Sequence, residues 1–380
     1  MNYSFNYNLP VNLRFGQGKI NELGTITAQY GTKAIIITGR NSTKKSGLLD
    51  KAVELLKKSG VESVIYDKVD QNPTDTTMYD AVKVLKENSC DVVVALGGGS
   101  IIDCAKATAF MALNDGDVFD YIFGIKIGEQ ALPLIAVPTT CGTGTEGNGF
   151  AVLTNTKNND KKSLRTNLIV AKASIIDPDL MKTMPKHILA QVSFDALCHN
   201  MEAYLSANAQ PLTDMMARQA IELIGKYLPV VYNDYSNDEG WNAITWASTI
   251  GGMTINTAGV GAPHALEHPA SGLRNIVHGR GLAALSPVIY DEAIKMGAKT
   301  EKLADISKLL GGTDEKDLVE TLKKLITSVD LTTTLSAEGV KEEDIDWMAE
   351  NSYKIMEGAI KCFPIVFSIE DIKRIYKEAL

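Results

Sequence analysis

Short β-branched runs alternate with amphipathic helical patterns through the first half of this chain, and few architectures accommodate that alternation. Ala34–Gly39 is a run of isoleucines closing on glycine, and Leu48–Lys58 reads as an amphipathic helix stopped by Gly60. Val64–Tyr66 is a second strand, Met78–Glu87 a second helix, and Asp91–Leu96 and Leu132–Val137 are two further strands. Runs this short and apolar are the mark of parallel strands buried on both faces. Taken in turn with helices, they predict an α/β fold, a Rossmann-like doubly wound parallel sheet. Ala151–Thr154 and Leu168–Ala171 flank the polar, Lys-rich segment Asn155–Asn167 and predict a β-hairpin with an exposed tip. Near Asp177-Pro178 and Met184-Pro185 the pattern changes to long helical segments rich in Ala, Leu and Met, with no clear strand. The expected division is an α/β domain over residues 1–182 and an all-helical domain over residues 183–380.

Ligands of such sheets bind beyond the carboxyl ends of the strands, where the unusual residues collect. The third strand passes through Gly97-Gly98-Gly99-Ser100 into a helix carrying Asp103. Glycines let a phosphate approach the backbone, and a helix N-terminus offers it free N–H groups, so a phosphate loop is preferred here over a merely tight turn. The spacing is not GxGxxG, so the standard dinucleotide fingerprint is absent. Pro138-Thr139-Thr140-Cys141-Gly142-Thr143-Gly144-Thr145-Glu146, after the fourth strand, is either a polar cleft wall or a turn. The first strand ends in Gly39-Arg40-Asn41-Ser42-Thr43-Lys44-Lys45, with no acid between Thr38 and Leu49 to accept from a ribose 2′-hydroxyl. Such a turn accommodates a 2′-phosphate or is a solvated basic surface, and the residues alone leave both open.

Five histidines occur in 380 residues, and His264, His268 and His278 lie together between Gly261 and Gly279. Asp195 and His199 are four apart in the helical run Ala190–Ser206, and His264 and His268 are four apart if Pro263 opens a helix. That spacing puts each pair on one helix face, with His278 following in a nearby loop. His187 reads as an ordinary core or surface residue. Imidazoles with a single carboxylate suit Fe(II), Zn(II) or a similar ion and exclude the oxygen cages of Ca²⁺ and Mg²⁺. They do not separate iron from zinc.

Composition narrows the partners. A net charge of −8 argues against a nucleic-acid or anionic-membrane surface. No apolar run reaches the roughly eighteen residues of a membrane-spanning helix, and Met1–Asn8 lacks the basic and apolar regions of a secretory signal. Cys90, Cys104, Cys141, Cys198 and Cys362 form no CxxC and no framework, which fits a reducing cytoplasm.

Four ordered blocks then resemble one known family over nearly the whole length. They are Gly97–Asp103, Pro138–Glu146, Asp195–Glu202 and His264–His268 with His278-Gly279, and the family is the iron-containing (group III) alcohol dehydrogenases. The resemblance implies an alcohol dehydrogenase or aldehyde reductase moving hydride between NAD(P)(H) and a small primary alcohol or aldehyde. It implies a C-terminal metal-binding domain with Asp195, His199, His264 and His278 as ligands to Fe²⁺, or Zn²⁺. His268 is implied to sit beside substrate and nicotinamide as the proton carrier. Gly97, Gly98, Gly99 and Ser100 match the pyrophosphate loop, Asp103 an acid near the nicotinamide, and Thr139 and Thr140 threonines touching the cofactor. Thr145 stands where the family usually has serine. Gly39, with Arg40, Asn41 and Ser42, stands where NAD-preferring members carry aspartate, so the chain looks closest to the NADPH-dependent butanol dehydrogenase-like members and NADP(H) is expected over NAD(H). Asn2–Phe15 reads as an edge strand, and in the family such a segment pairs across a homodimer. A lyase of the dehydroquinate synthase kind, the rival reading, needs several cations to grip its anionic substrate. The segments near the expected metal offer mainly Arg274 and Arg280 among apolar residues such as Ile255 and Leu273.

Overall fold

The computed structural model describes residues 4–298 and 301–380; Asn2 and Tyr3 of the expected edge strand lie outside them. Six strands form one parallel sheet: β1 (Asn12–Phe15), β2 (Lys33–Gly39), β3 (Glu62–Val69), β4 (Val92–Gly97), β5 (Leu134–Pro138) and β8 (Ala173–Ile176). Their order across the sheet is β1-β8-β5-β4-β2-β3. Alternate residues feed two separate cores, as a doubly wound sheet requires. Ala34, Ile36, Val92 and Val94 pack with Leu49, Ala52 and Leu56, whereas Ile35, Ile37, Val93 and Ala95 pack with Met78, Ala81 and Ile102. The Leu48–Lys58 helix has its expected bounds. The next helix, Asp75–Glu87, starts three residues earlier than its apolar pattern because Thr74 caps it, its hydroxyl accepting from the Thr77 amide at 3.2 Å.

The hairpin differs from its expected form. β6 (Phe150–Thr154) pairs antiparallel not with Leu168–Ala171 but with β7 (Lys161–Arg165), in the register Phe150↔Arg165 and Thr154↔Lys161. Asn167–Ile169 is instead a 3₁₀ turn leading into β8. Hydropathy hides β7 because Lys161, Ser163 and Arg165, on one of its faces, line a cleft rather than a core. Of the expected edge strand, only Asn12–Phe15 pairs, and it does so at one end of the sheet.

The last strand ends at Ile176 and the first long helix begins at Lys186; no strand follows among the described residues. That helix, Lys186–Leu205, is the centre of the second half, since from Leu189 to Leu205 every residue but Val192 is buried. Around it stand Pro211–Asn233, Asp238–Ala258, Ala262–Arg274 and His278–Lys295. Pro263 sits in the first turn of its helix, as expected, whereas His278 opens a helix instead of lying in a loop. Among the described residues no helix is long and apolar enough to cross a membrane.

Sheet and helices meet backbone to backbone. Gly144, in the loop after β5, adopts a left-handed φ of 59°, and a Cβ placed on Gly252 of the Asp238–Ala258 helix would lie 1.7 Å from the Gly144 carbonyl oxygen. Gly252→Ala should therefore destabilise the protein by about 2–3 kcal/mol through overpacking. Gly358→Ala, which meets open space, should leave the thermal midpoint unchanged or raise it. Equal midpoints for wild type and Gly252→Ala would refute the close contact.

Candidate active site between the sheet and the helices

The carboxyl ends of β2, β4 and β5 face the helical half across one cleft of about 530 Å³, a volume suited to a small-molecule ligand. Gly39, Arg40, Asn41, Ser42, Gly98, Gly99, Ser100, Asp103 and Thr140 line it, and so do Asp195, His199, His264, His268 and His278. Gly97 and Thr139 do not; they sit behind the wall, with the Thr139 amide donating to the Gly97 carbonyl at 3.0 Å.

The glycines serve close packing as well as access. A Cβ on Gly98 would meet Thr140 Oγ1 at 3.0 Å, and one on Gly99 would meet Thr143 Cγ2 at 2.3 Å. Only glycine lets the β5 loop lie against the β4 turn. The helix Gly99–Met111 starts there with no side-chain cap, so its first N–H groups point into the cleft with the positive end of the helix dipole. That arrangement fits a pyrophosphate. At the end of β2, Arg40 is already engaged: its Nε and Nη2 donate to the two Asp70 carboxylate oxygens at 2.9 Å each.

At the other end of the cleft, three imidazoles converge on one carboxylate. The Nε2 atoms of His264, His199 and His278 lie 3.3, 3.5 and 3.5 Å from Asp195 Oδ1. The rings of His199 and His264 stack with centroids 4.5 Å apart. Each ring's far nitrogen was invisible to sequence reasoning. His264 Nδ1 meets Glu202 Oε1 at 2.6 Å, and His278 Nδ1 meets Glu267 Oε2. Glu202 Oε2 also accepts from the Gly261 amide at 2.6 Å, so the same carboxylate anchors the start of the Ala262–Arg274 helix. Spacing offered a clue, since Glu202 lies three residues after His199 and Glu267 three after His264, on the same helical faces. Buried carboxylates that orient imidazoles through Nδ1 are the usual supports of metal-ligating histidines. His199 Nδ1 and His268 Nδ1 are buried with no protein partner. Donor set, burial and supports together fit a divalent ion.

Burial works against every charge here, and the neighbours decide the outcome. Asp195 is held well below the usual carboxylate range despite burial, by His199 and His278. Burial pulls His199 down to about 4. For His264 burial is outweighed by Glu202 and Asp195, which push it up to about 10. His268 lies well below its ordinary value through burial and the Lys161 charge.

Asp103 lies on the first turns of the Gly99–Met111 helix, accepting from the Thr145 hydroxyl at 2.7 Å and the Val152 amide at 3.0 Å. One turn on, buried Lys106 donates to the carbonyls of Thr145, Asn148 and Phe150 at 2.6–2.8 Å and holds the cleft wall in place. Its pKa is pulled down to about 8 by burial, against Asp103 and Glu146. Arg274 and Arg280 point elsewhere, paired with Asp344 and Glu338. The cleft cations that sequence reasoning missed are Lys161 and Arg165, on β7.

Comparison with known proteins places this geometry. A family profile described as "Iron-containing alcohol dehydrogenase" matches residues 10–178, and "Fe-containing alcohol dehydrogenase family, C-terminal" matches residues 189–380. The NAD-dependent methanol dehydrogenase of Bacillus methanolicus is 31% identical, covering 99% of this chain and 100% of that protein. The NADH-dependent butanol dehydrogenase B of Clostridium acetobutylicum is 32% identical, covering 94% of each. The crystal structure of an archaeal halo-thermophilic alcohol dehydrogenase from a Red Sea brine pool superposes with a TM-score of 0.94 at 33% identity, covering 100% of both chains. The chain belongs to the iron-containing alcohol dehydrogenase family.

Proposed function

We propose that this protein interconverts small primary alcohols and aldehydes with a nicotinamide dinucleotide, using Fe²⁺ or Zn²⁺ held by Asp195, His199, His264 and His278. One observation carries the reading: three Nε2 atoms within 3.5 Å of a buried Asp195 oxygen share a cleft with an uncapped, glycine-walled helix start. When bound, the ion supplies Lewis acidity toward a hydroxyl or carbonyl oxygen, and the dinucleotide supplies or takes the hydride.

The side chains do the remaining work. Glu202 and Glu267 fix the rings of His264 and His278 so that Nε2 faces Asp195. Gly98, Gly99 and Ser100 receive the pyrophosphate on free N–H groups, with Gly97 and Thr139 shaping the turn from behind and Thr140 along its wall. Asp103 sets the wall beside the nicotinamide through Thr145 and Val152. His268 is kept neutral by burial and by Lys161, and its unpartnered Nδ1 takes up and returns the hydroxyl proton. The division between the nucleotide-binding and metal-binding halves lies near residue 182, and a homodimer pairs through β1 at the sheet edge. The five free cysteines accord with a cytoplasmic setting.

NADP(H) is the preferred dinucleotide in this reading. Gly39 leaves room where an acid would repel a 2′-phosphate, and Arg40, Asn41 and Ser42 border the same part of the cleft. The 2′-phosphate must share Arg40 with Asp70, an exposed pair that contributes little by itself.

Chelation should abolish aldehyde reduction, and Fe²⁺ or Zn²⁺ should restore it; activity indifferent to chelator would remove the metal from the mechanism. His264→Ala should lose bound metal by elemental analysis, whereas His268→Ala should keep it and lose about 10²–10⁴-fold in kcat. Metal loss in both would show that His268 is a ligand. Arg40→Ala should raise KM for NADPH about tenfold, the worth of one charged hydrogen bond, with little change for NADH. A wild type that favours NADH would make the basic turn mere surface.

A further inference from the structure

The cleft contains a cation that the proposed chemistry does not use. Alternate residues of the hairpin face inward, among them Phe150 and Thr154 on β6 and Lys161 and Arg165 on β7. Of the seven arginines in the chain, six pair with carboxylates: Arg14 with Glu22, Arg40 with Asp70, Arg218 with Asp305, Arg274 with Asp344, Arg280 with Glu338 and Arg374 with Glu292. The Arg165 side chain has no ion pair or hydrogen bond among the described residues. It rests with its guanidinium 4.5 Å from the centre of the Phe150 ring. Its surroundings disfavour the charge, and no carboxylate offsets that. The acid on the adjoining helix, Asp103, is committed to Thr145, Val152 and the charge of Lys106. On the same hairpin face, the buried Thr154 hydroxyl also lacks a partner.

A guanidinium lying against an aromatic ring has its face occupied and its donor edges free, and those edges match a planar carboxylate two bonds at a time. Arg165 is exposed to the cleft, so its free edges can be reached by a ligand, and no carboxylate of the protein competes for them. The phosphate-binding turn is a separate place. The Phe150 end of the hairpin is tied to Lys106, about 10 Å along the helix axis from Gly99. Phe150 and Arg165 line the cleft with Ile255, Val260 and Met356, and the Arg165 charge is felt at His268.

We infer that Arg165 binds a carboxylate at the far end of the substrate, so that this protein acts on short aldehydes and alcohols bearing a terminal carboxylate in preference to unsubstituted ones. The inference rests on the dehydrogenase reading above and leaves its chemistry unchanged. The carbonyl carbon gains hydride from the reduced nicotinamide, its oxygen gains a proton, and the carboxylate neither gains nor loses electrons.

Reduction of 4-oxobutanoate and of butanal by the metal-loaded protein tests it, alongside calorimetric titration with 4-hydroxybutanoate. Wild type should favour 4-oxobutanoate at least tenfold in kcat/KM. Arg165→Met should cut that preference at least tenfold, chiefly through KM, with Arg165→Lys retaining part of it and both variants melting near wild type. A preference unchanged in Arg165→Met would overturn the inference. So would an equal loss for both aldehydes, or a change confined to KM for the dinucleotide, which would assign Arg165 to the cofactor. Failure to reduce either aldehyde would instead overturn the dehydrogenase reading. The titration then still decides the site, since 4-hydroxybutanoate binding that Arg165→Met abolishes upholds it and absence of binding to wild type overturns it.

Discussion

A carboxylate at the centre of a buried helix must be paid for with countercharge, and Asp195 sets that demand for the second half of the molecule. The Lys186–Leu205 helix is buried on nearly all sides, so Asp195 is nearly closed off from solvent except where it borders the cleft. Its partners come from its own helix, through His199, and from the helices beginning at Ala262 and His278. Those two helices can reach it only at their first turns, and this fixes where each begins. Glu202 anchors one of them by accepting from the Gly261 amide and His264 together. Glu267 joins the two, gripping His278 while belonging to the helix of His264. The polar cluster is thus a structural joint before it is a site, and helix packing and ligand geometry are one constraint.

The sheet side answers to a different requirement, namely close approach of backbone. Gly98 and Gly99 admit Thr140 and Thr143 against the turn, and Lys106 gathers the carbonyls of the next loop from within. A buried ammonium surrounded by carbonyl and amide oxygens replaces the water that loop would otherwise need. The result is a cleft wall built from main chain and threonine.

What the sequence made legible follows the same physics. The isoleucine and valine strands announced themselves because both their faces are buried. The pairs Asp195/His199 and His264/His268 were readable because a helix turns every four residues, with Pro263 marking one start. β7 was not legible: its Lys161-Lys162-Ser163-Leu164-Arg165 alternates as a strand should, but one face lines a cleft, and hydropathy takes that for a loop. Thr74 moved a helix start by a capping bond that no apolar pattern records. Glu202 and Glu267 were readable as helix neighbours and not as supports, since which nitrogen of each imidazole they would meet depends on ring orientation. The register Phe150↔Arg165, which sets a cation on an aromatic ring, exists only once the hairpin has its true partner.

The contact between Gly144 and Gly252 has a mechanical meaning. Where two bodies touch through side chains, rotamer changes let them slide; where they touch through bare backbone, the contact either holds or breaks. The sheet and the helices are therefore pinned beside the cleft, and again at the hairpin tip, where a Cβ on Gly272 would lie 2.3 Å from the Asn159 carbonyl oxygen. The loop of Thr145 and Asn148, next to the Gly144–Gly252 contact, is thereby held in alignment with the helical body.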